Sequence, residues 1–286
     1  MACDIPLTEF DAESAALIEP RPGSVSGEIP EHAVICFFRD VIEQVCGDGR
    51  AEVVATFAGE YGRCELFSLK VGDRRVGVFH PGLGAPLSCG IFEEVIATGC
   101  SKFVACGGAG AVVPGLALGH VVVPDAAVRD EGTSYHYLPP SREVRADPTA
   151  VGVLSAVLDE AGVPYVVGKT WTTDAFYRET QVKIAARRGE GCITVEMEGA
   201  AFLAVARHRG VSFAQYLYAG DDVSGETWTT GTGIPPQPAS TCSGCPLRPF
   251  CGSSRWPKMV NLSDARSVYV VPAIARRAGL HRCRQR

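Results

Sequence analysis

The 286 residues carry 46% hydrophobic and 21% charged side chains with a net charge of -5, a composition that can fill one large core or two smaller ones. The charge is mildly acidic and Lys and Arg are scattered until the C-terminal stretch, which argues against a nucleic-acid-binding face. No apolar run approaches the ~18 residues of a membrane span, and the start Met1-Ala2-Cys3-Asp4-Ile5-Pro6 lacks a basic, apolar leader pattern. A cytoplasmic protein with no membrane partner is therefore expected. Cys36 and Cys106, two of the twelve cysteines, sit inside apolar runs and read as buried free thiols in a reducing compartment.

In chain order, residues 1–31 are rich in Pro, Glu and Ser and read as an extended N-terminal arm. Short apolar strands and moderate helices then alternate, the pattern of an α/β domain. Strands are expected over residues 34–38, 52–57, 64–71 and 75–80, the last two joined by a turn at Gly72-Asp73, with a short helix over 39–45. Pro81 to Pro86 form a tight loop, and Ile91, Val95 and Ile96 mark a helix ending at Gly99. A strand over 103–106 runs into the turn-like Gly107-Gly108-Ala109-Gly110, and another covers 121–128. Asp147-Pro148 supplies an N-cap and a first-turn proline to a helix that stops at Gly162. Strands over 163–170, 192–195 and 211–219 alternate with helices over 179–188 and 199–209.

The junction at Thr194-Val195-Glu196-Met197-Glu198-Gly199-Ala200-Ala201 is the most informative stretch. In extended backbone Glu196 and Glu198 would point to one side, because side chains alternate with period two. Two carboxylates flanking a thioether suit a ribose: a carboxylate accepts hydrogen bonds from both hydroxyls while Met197 packs on the sugar's apolar face. The competing reading is that both acids only complement the dipole of the following helix. On spacing alone the two readings stand even.

Several motifs in order resemble the nucleoside phosphorylase family of the uridine and type I purine enzymes. Residues 194–201 look like its ribose-binding signature, and Gly82-Leu83-Gly84-Ala85-Pro86 with Glu93-Glu94 resembles its G-x-G-G-P loop and following acidic pair. Cys106-Gly107-Gly108-Ala109-Gly110-Ala111 resembles its glycine turn, and Gly119-His120-Val121-Val122-Val123-Pro124 a strand start. Residues 128–135 and 173–177 look like the walls of a uridine-type pocket. The resemblance covers residues 32–228 and implies a single-domain, three-layer α/β fold whose central mixed, barrel-like sheet is flanked by helices.

It further implies reversible phosphorolysis, in which phosphate attacks ribose C1′ as the base leaves. Glu196, Met197 and Glu198 would grip the ribose, and Gly107, Gly108, Arg39 and Arg63 would orient phosphate, Arg63 across a subunit interface. Phe176 would stack on the base, with Arg178 or Asp221 stabilising charge on it. Arg178 suits a pyrimidine and Asp221 a purine, so a uridine-type base is the first expectation and a purine or methylthioadenosine the alternative. A nucleosidase or an inactive or metal-binding paralogue are further alternatives. No metal or organic cofactor is implied, inorganic phosphate being a co-substrate; the partners are nucleoside and phosphate, in a dimer-based homo-oligomer up to a hexamer. Two features depart from the family: a Gly-Asp-Pro loop is replaced by Ile35-Cys36-Phe37-Phe38-Arg39, and the arginine before the glycine turn is absent.

Residues 229–286 form an atypical segment enriched in Pro, Cys and Arg, with Cys242, Cys245 and Cys251 spaced as part of a metal site that lacks a fourth ligand. Back-translated in a shifted frame, residues 232–252 can read RHSATTREHLFWLPAEAVLRL, which has the apolar stripe of the family's terminal helix. The expectation is a frameshifted, disordered tail from about residue 230, and sequencing the gene across residues 229–231 tests it.

Overall fold

The computed structural model describes residues 5–12 and 15–230. Its strands are β1 (Ser24–Val25), β2 (His32–Cys36), β3 (Ala51–Gly59), β4 (Gly62–Val71), β5 (Arg74–Phe79), β6 (Lys102–Ala111), β7 (Val121–Asp130), β8 (Glu143–Arg145), β9 (Tyr165–Thr173), β10 (Cys192–Glu196), β11 (Ser212–Asp222) and β12 (Thr229–Thr230). The helices are α1 (Arg39–Cys46), α2 (Ala85–Ala97), α3 (Pro148–Ala161), α4 (Gln181–Gly189) and α5 (Gly199–Arg209).

All strands join one mixed sheet, and β6, β10, β9, β7 and β11 close on themselves because β11 also pairs with β6. The result is a five-stranded barrel continued on one side by β2, β5, β4, β3 and β1. Closure pairs each of the five barrel strands on both sides, while the sheet as a whole keeps an edge at β1. One layer of apolar side chains from α2 and α5, including Phe92, Phe202 and Val205, packs on one face. Val41 and Ile42 of α1 and Leu154 and Leu158 of α3 pack on the other. This is the three-layer α/β arrangement expected.

Local chemistry explains the helix limits. Asp147 accepts a hydrogen bond from the Thr149 N-H at 2.8 Å, Pro148 occupies the first turn, and Gly162 closes α3 in the left-handed region. Thr180 caps α4 in the same way, so that helix begins after the expected residue 179. In α5 every residue from Gly199 to Ala206 is buried, whereas Arg207, His208 and Arg209 fall in its last turn, where cations suit the dipole.

The glycine stretch after residue 106 is strand, not turn. β6 continues through Gly107, Gly108 and Gly110 to Ala111 because β11 pairs with it along this length. Tertiary pairing overrides the low strand preference of glycine. The arm is also more ordered than an extended segment: Ser24 and Val25 pair with Thr56 and Ala55, and the Glu19 carboxylate meets Arg209 at 3.0 Å. Thr229 and Thr230 form β12; the rest of the tail, with its cysteine cluster and frameshift reading, lies outside the described residues. Cys36 and Cys106 are buried and free.

Candidate active site

At the end of β10 the two acids part company. Glu196 turns its carboxylate back onto the start of α5, taking the N-H groups of Glu198 at 2.8 Å and Gly199 at 2.6 Å. Its other oxygen accepts from the Thr172 hydroxyl at 2.5 Å, and Thr172 in turn accepts from the Ala200 N-H at 2.9 Å. Strand register puts Thr172 beside Glu196, so two strands together satisfy the helix donors that would otherwise be orphaned. A Cβ at Gly199 would crowd this network, lying 2.9 Å from the Gln215 side-chain oxygen and 3.0 Å from the Glu196 carboxylate.

Glu198 is the N-cap residue of α5, with φ -135° and ψ -26°, and has left the extended backbone that a same-side argument requires. One carboxyl oxygen accepts from the Gly84 N-H at 2.6 Å. Gly84 holds φ 85° and ψ 144°, a conformation essentially reserved for glycine. Burial, with the charge of Glu196 second, pushes the Glu198 carboxyl up to about 8. The free protein therefore presents a protonated acid here near neutrality. Met197 lies half-buried between the two acids.

The pocket segments expected from 128–135 and 173–177 meet, tied by the Gly132 N-H donating to Asp174 at 2.8 Å. Arg129 is buried and organises the following loop through Ser134, Ser141 and the carbonyls of Leu138 and Pro139. Phe176 and Arg178 occupy a short turn, both exposed, and the Phe176 ring packs against Tyr177 at 4.1 Å. Asp221 pairs in register with Gly110, which in turn faces Val195. The Asp221 carboxylate accepts from the Trp228 indole at 2.7 Å. Beside it Glu179, absent from the expected set, is raised to about 7 by burial and by the Asp221 charge.

On the phosphate side, Arg39 opens α1 and Arg63 lies on β4, where its guanidinium meets Glu65 at 3.1 Å. Both are exposed, and both line a cavity of about 530 Å³ together with His80 and Gly82. His80 was also missed; its Nδ1 accepts from the Gly82 N-H at 3.0 Å. Burial, reinforced by Arg39, lowers it to about 4, so the ring is neutral. A Cβ on Gly107 would lie 3.0 Å from the Phe37 ring, and one on Gly108 would lie 3.2 Å from Tyr218. Among the described residues no group of His, Cys, Asp and Glu is arranged to hold a metal ion, and no helix is long and apolar enough to cross a membrane.

A closed five-stranded barrel with a glycine-rich strand β6 and a carboxyl held over the N-terminus of a buried helix defines a class. The phosphorylase superfamily model matches residues 31–232, and the chain belongs to that family. A uridine phosphorylase of Thermococcus kodakarensis is 35% identical over 36% of this chain and 37% of its own length. A guanosine phosphorylase of Halorubrum lacusprofundi is 27% identical over 71% of this chain and 76% of its own. The matched segment thus spans little more than a third of the first relative and three quarters of the second. Among solved structures, a purine nucleoside phosphorylase of Toxoplasma gondii superposes with a TM-score of 0.70 at 18% identity, covering 93% of this chain and 99% of that one. A uridine phosphorylase of Vibrio fischeri gives 0.62 at 24% identity over 72% and 85%. These likenesses concern the fold.

Proposed function

We propose that this chain breaks the N-glycosidic bond of a nucleoside where the loop around Gly84 meets the N-terminus of α5. The observation that carries the reading is the buried Glu198 carboxyl, fixed by the Gly84 N-H and within the ribose-binding resemblance. In a Michaelis complex its second oxygen takes the ribose hydroxyls, and the sugar is held as the C1′–N bond lengthens and positive charge builds on the ring. Orientation and preorganised electrostatics supply the gain. Phosphorylases hand the pentosyl group to phosphate; Glu198 serves the cleavage half of that reaction whichever acceptor follows.

A uridine-type base is the first reading, with Phe176 stacking on it and Arg178 meeting a base oxygen from the rim. The half-buried Glu179 beside Asp221 favours a second, a purine whose N-H groups or N7 face carboxyls. The deciding experiment follows base release from uridine, inosine, guanosine and methylthioadenosine by the full chain and by Glu198→Gln. Release from one class, lowered about 10²-fold or more in the variant as for other preorganised active-site groups, supports the reading. Equal rates in parent and variant overturn it.

A further inference from the structure

Cys36 and Cys106, far apart in sequence, lie directly opposite one another on the parallel strands β2 and β6. Paired residues on neighbouring strands are about 5 Å apart and project to one face, within the roughly 4.4–6.8 Å that separates the Cα atoms of a disulfide. Both thiols are free, fully buried and part of one core cluster. No other two cysteines among the described residues share a strand register. Cys64 pairs with Phe57 and Cys192 with Lys169, Cys46 and Cys89 sit on helices, and Cys100 lies in a loop.

Tyr216 extends the row, because β11 pairs it with Cys106. Its hydroxyl donates to the Cys106 sulfur, and the Cys106 thiol donates to Cys36. The second of these bonds holds the Cys36 thiol below the ordinary cysteine range. The same contact, with burial second, pushes Cys106 well above it. One sulfur is thus the readier thiolate while its neighbour keeps its proton, the division between an attacking and a resolving cysteine. Cys46, in the same cluster, is pushed up to about 12 by burial and stays a thiol. Among the described residues no group is arranged to hold a metal ion, so the thiols are not a metal centre there. The Cys36 thiol also reaches the Phe38 carbonyl at 3.6 Å, and Phe38 lines a cavity of about 640 Å³. That cavity brings a peroxide, little larger than water, to the residue that Cys36 touches, and local opening of the packed strands completes the route.

We infer that Cys36 and Cys106 form a redox-modification site, at which a hydroperoxide converts the two thiols to a reversible disulfide between β2 and β6. The Cys36 thiolate attacks one peroxide oxygen, the O–O bond breaks, and the departing alkoxide or hydroxide takes up the proton that Cys36 released. Cys106 then attacks the sulfur of the resulting sulfenic acid. The S–O bond breaks, and the hydroxide that leaves takes the Cys106 proton and departs as water. The thiol pair loses two electrons and the peroxide gains them. The bond pins the two strands one residue before Phe37 and Gly107, and a dithiol reductant reverses it. The site stands independently of the nucleoside reading.

The test treats the native full chain with hydrogen peroxide, blocks the remaining thiols, and maps the cysteines by digestion and tandem mass spectrometry. A Cys36–Cys106 cross-link that lacks two hydrogens and disappears with dithiothreitol is the expected result. In Cys106→Ala, Cys36 should stop at the sulfenic acid and be trapped by dimedone. Mapping the parent chain requires no variant, so the test survives if that one fails to fold. Cys36 and Cys106 both still alkylated after the treated chain is unfolded overturns the inference. A cross-link that forms only in denaturant, or Cys36 joined to a different cysteine, does the same.

Discussion

The Glu198 carboxyl resists ionisation because it is buried and because Glu196 carries like charge beside it. Its value in the fold, about 8, lies above the ordinary 4.5, so between those limits the folded chain holds a proton that the unfolded chain has released. Stability contributed at low pH is therefore lost as pH rises across that window. Denaturant unfolding of the free protein should show this fall, and Glu198→Gln should flatten it. Ribose hydroxyls donate to the ionised form, so KM should decrease as pH climbs towards 8 while Glu198→Gln shows no such trend. Glu196 does different work. Thr172→Val keeps the shape of the side chain but strands the Ala200 N-H and one Glu196 oxygen, both buried. A loss of about 1–3 kcal/mol is expected, the cost of unsatisfied buried groups, read from chemical denaturation.

Elements were legible where their signals are local. Asp147-Pro148 and Gly162 delimit α3 because a cap, a fixed φ and a left-handed glycine act within one turn. Asp147→Ala should cost about 1 kcal/mol with activity unchanged, a drop of about 2–4 °C in Tm for a domain of this size. β6 was the element misjudged. Its glycines look like a turn in isolation, and only pairing with β11 across a distant stretch of chain keeps Gly107 to Ala111 extended. The junction at Glu198 failed for the related reason that period-two alternation holds only while the backbone stays extended. His80 and Glu179 lay in or beside matched segments. Nothing in their neighbours disclosed that the first faces Gly82 and Phe37 or that the second approaches Asp221.

At the scale of the whole molecule, Trp171 of β9 is fully buried in a cluster that joins barrel strands to α4 through Val128, Ile184, Cys192 and Val195. Its indole donates to Asp130 at 3.0 Å, and the Arg187 guanidinium lies 5.3 Å from the ring centre. Trp171→Ala should cost about 3–5 kcal/mol, the usual price of a buried aromatic, a large part of the 5–15 kcal/mol available to a typical domain. Trp171→Phe should lose less, and urea midpoints for the two variants check the order. The alternation of strand and helix, the helix caps and the buried cysteines could all be read from residues 32–228, because each depends on neighbours a few positions away. Barrel closure, the separation of Glu196 from Glu198 and the pairing of Cys36 with Cys106 could not. Those depend on which strands meet after the chain has folded, and such long-range pairings leave no periodic trace in the sequence.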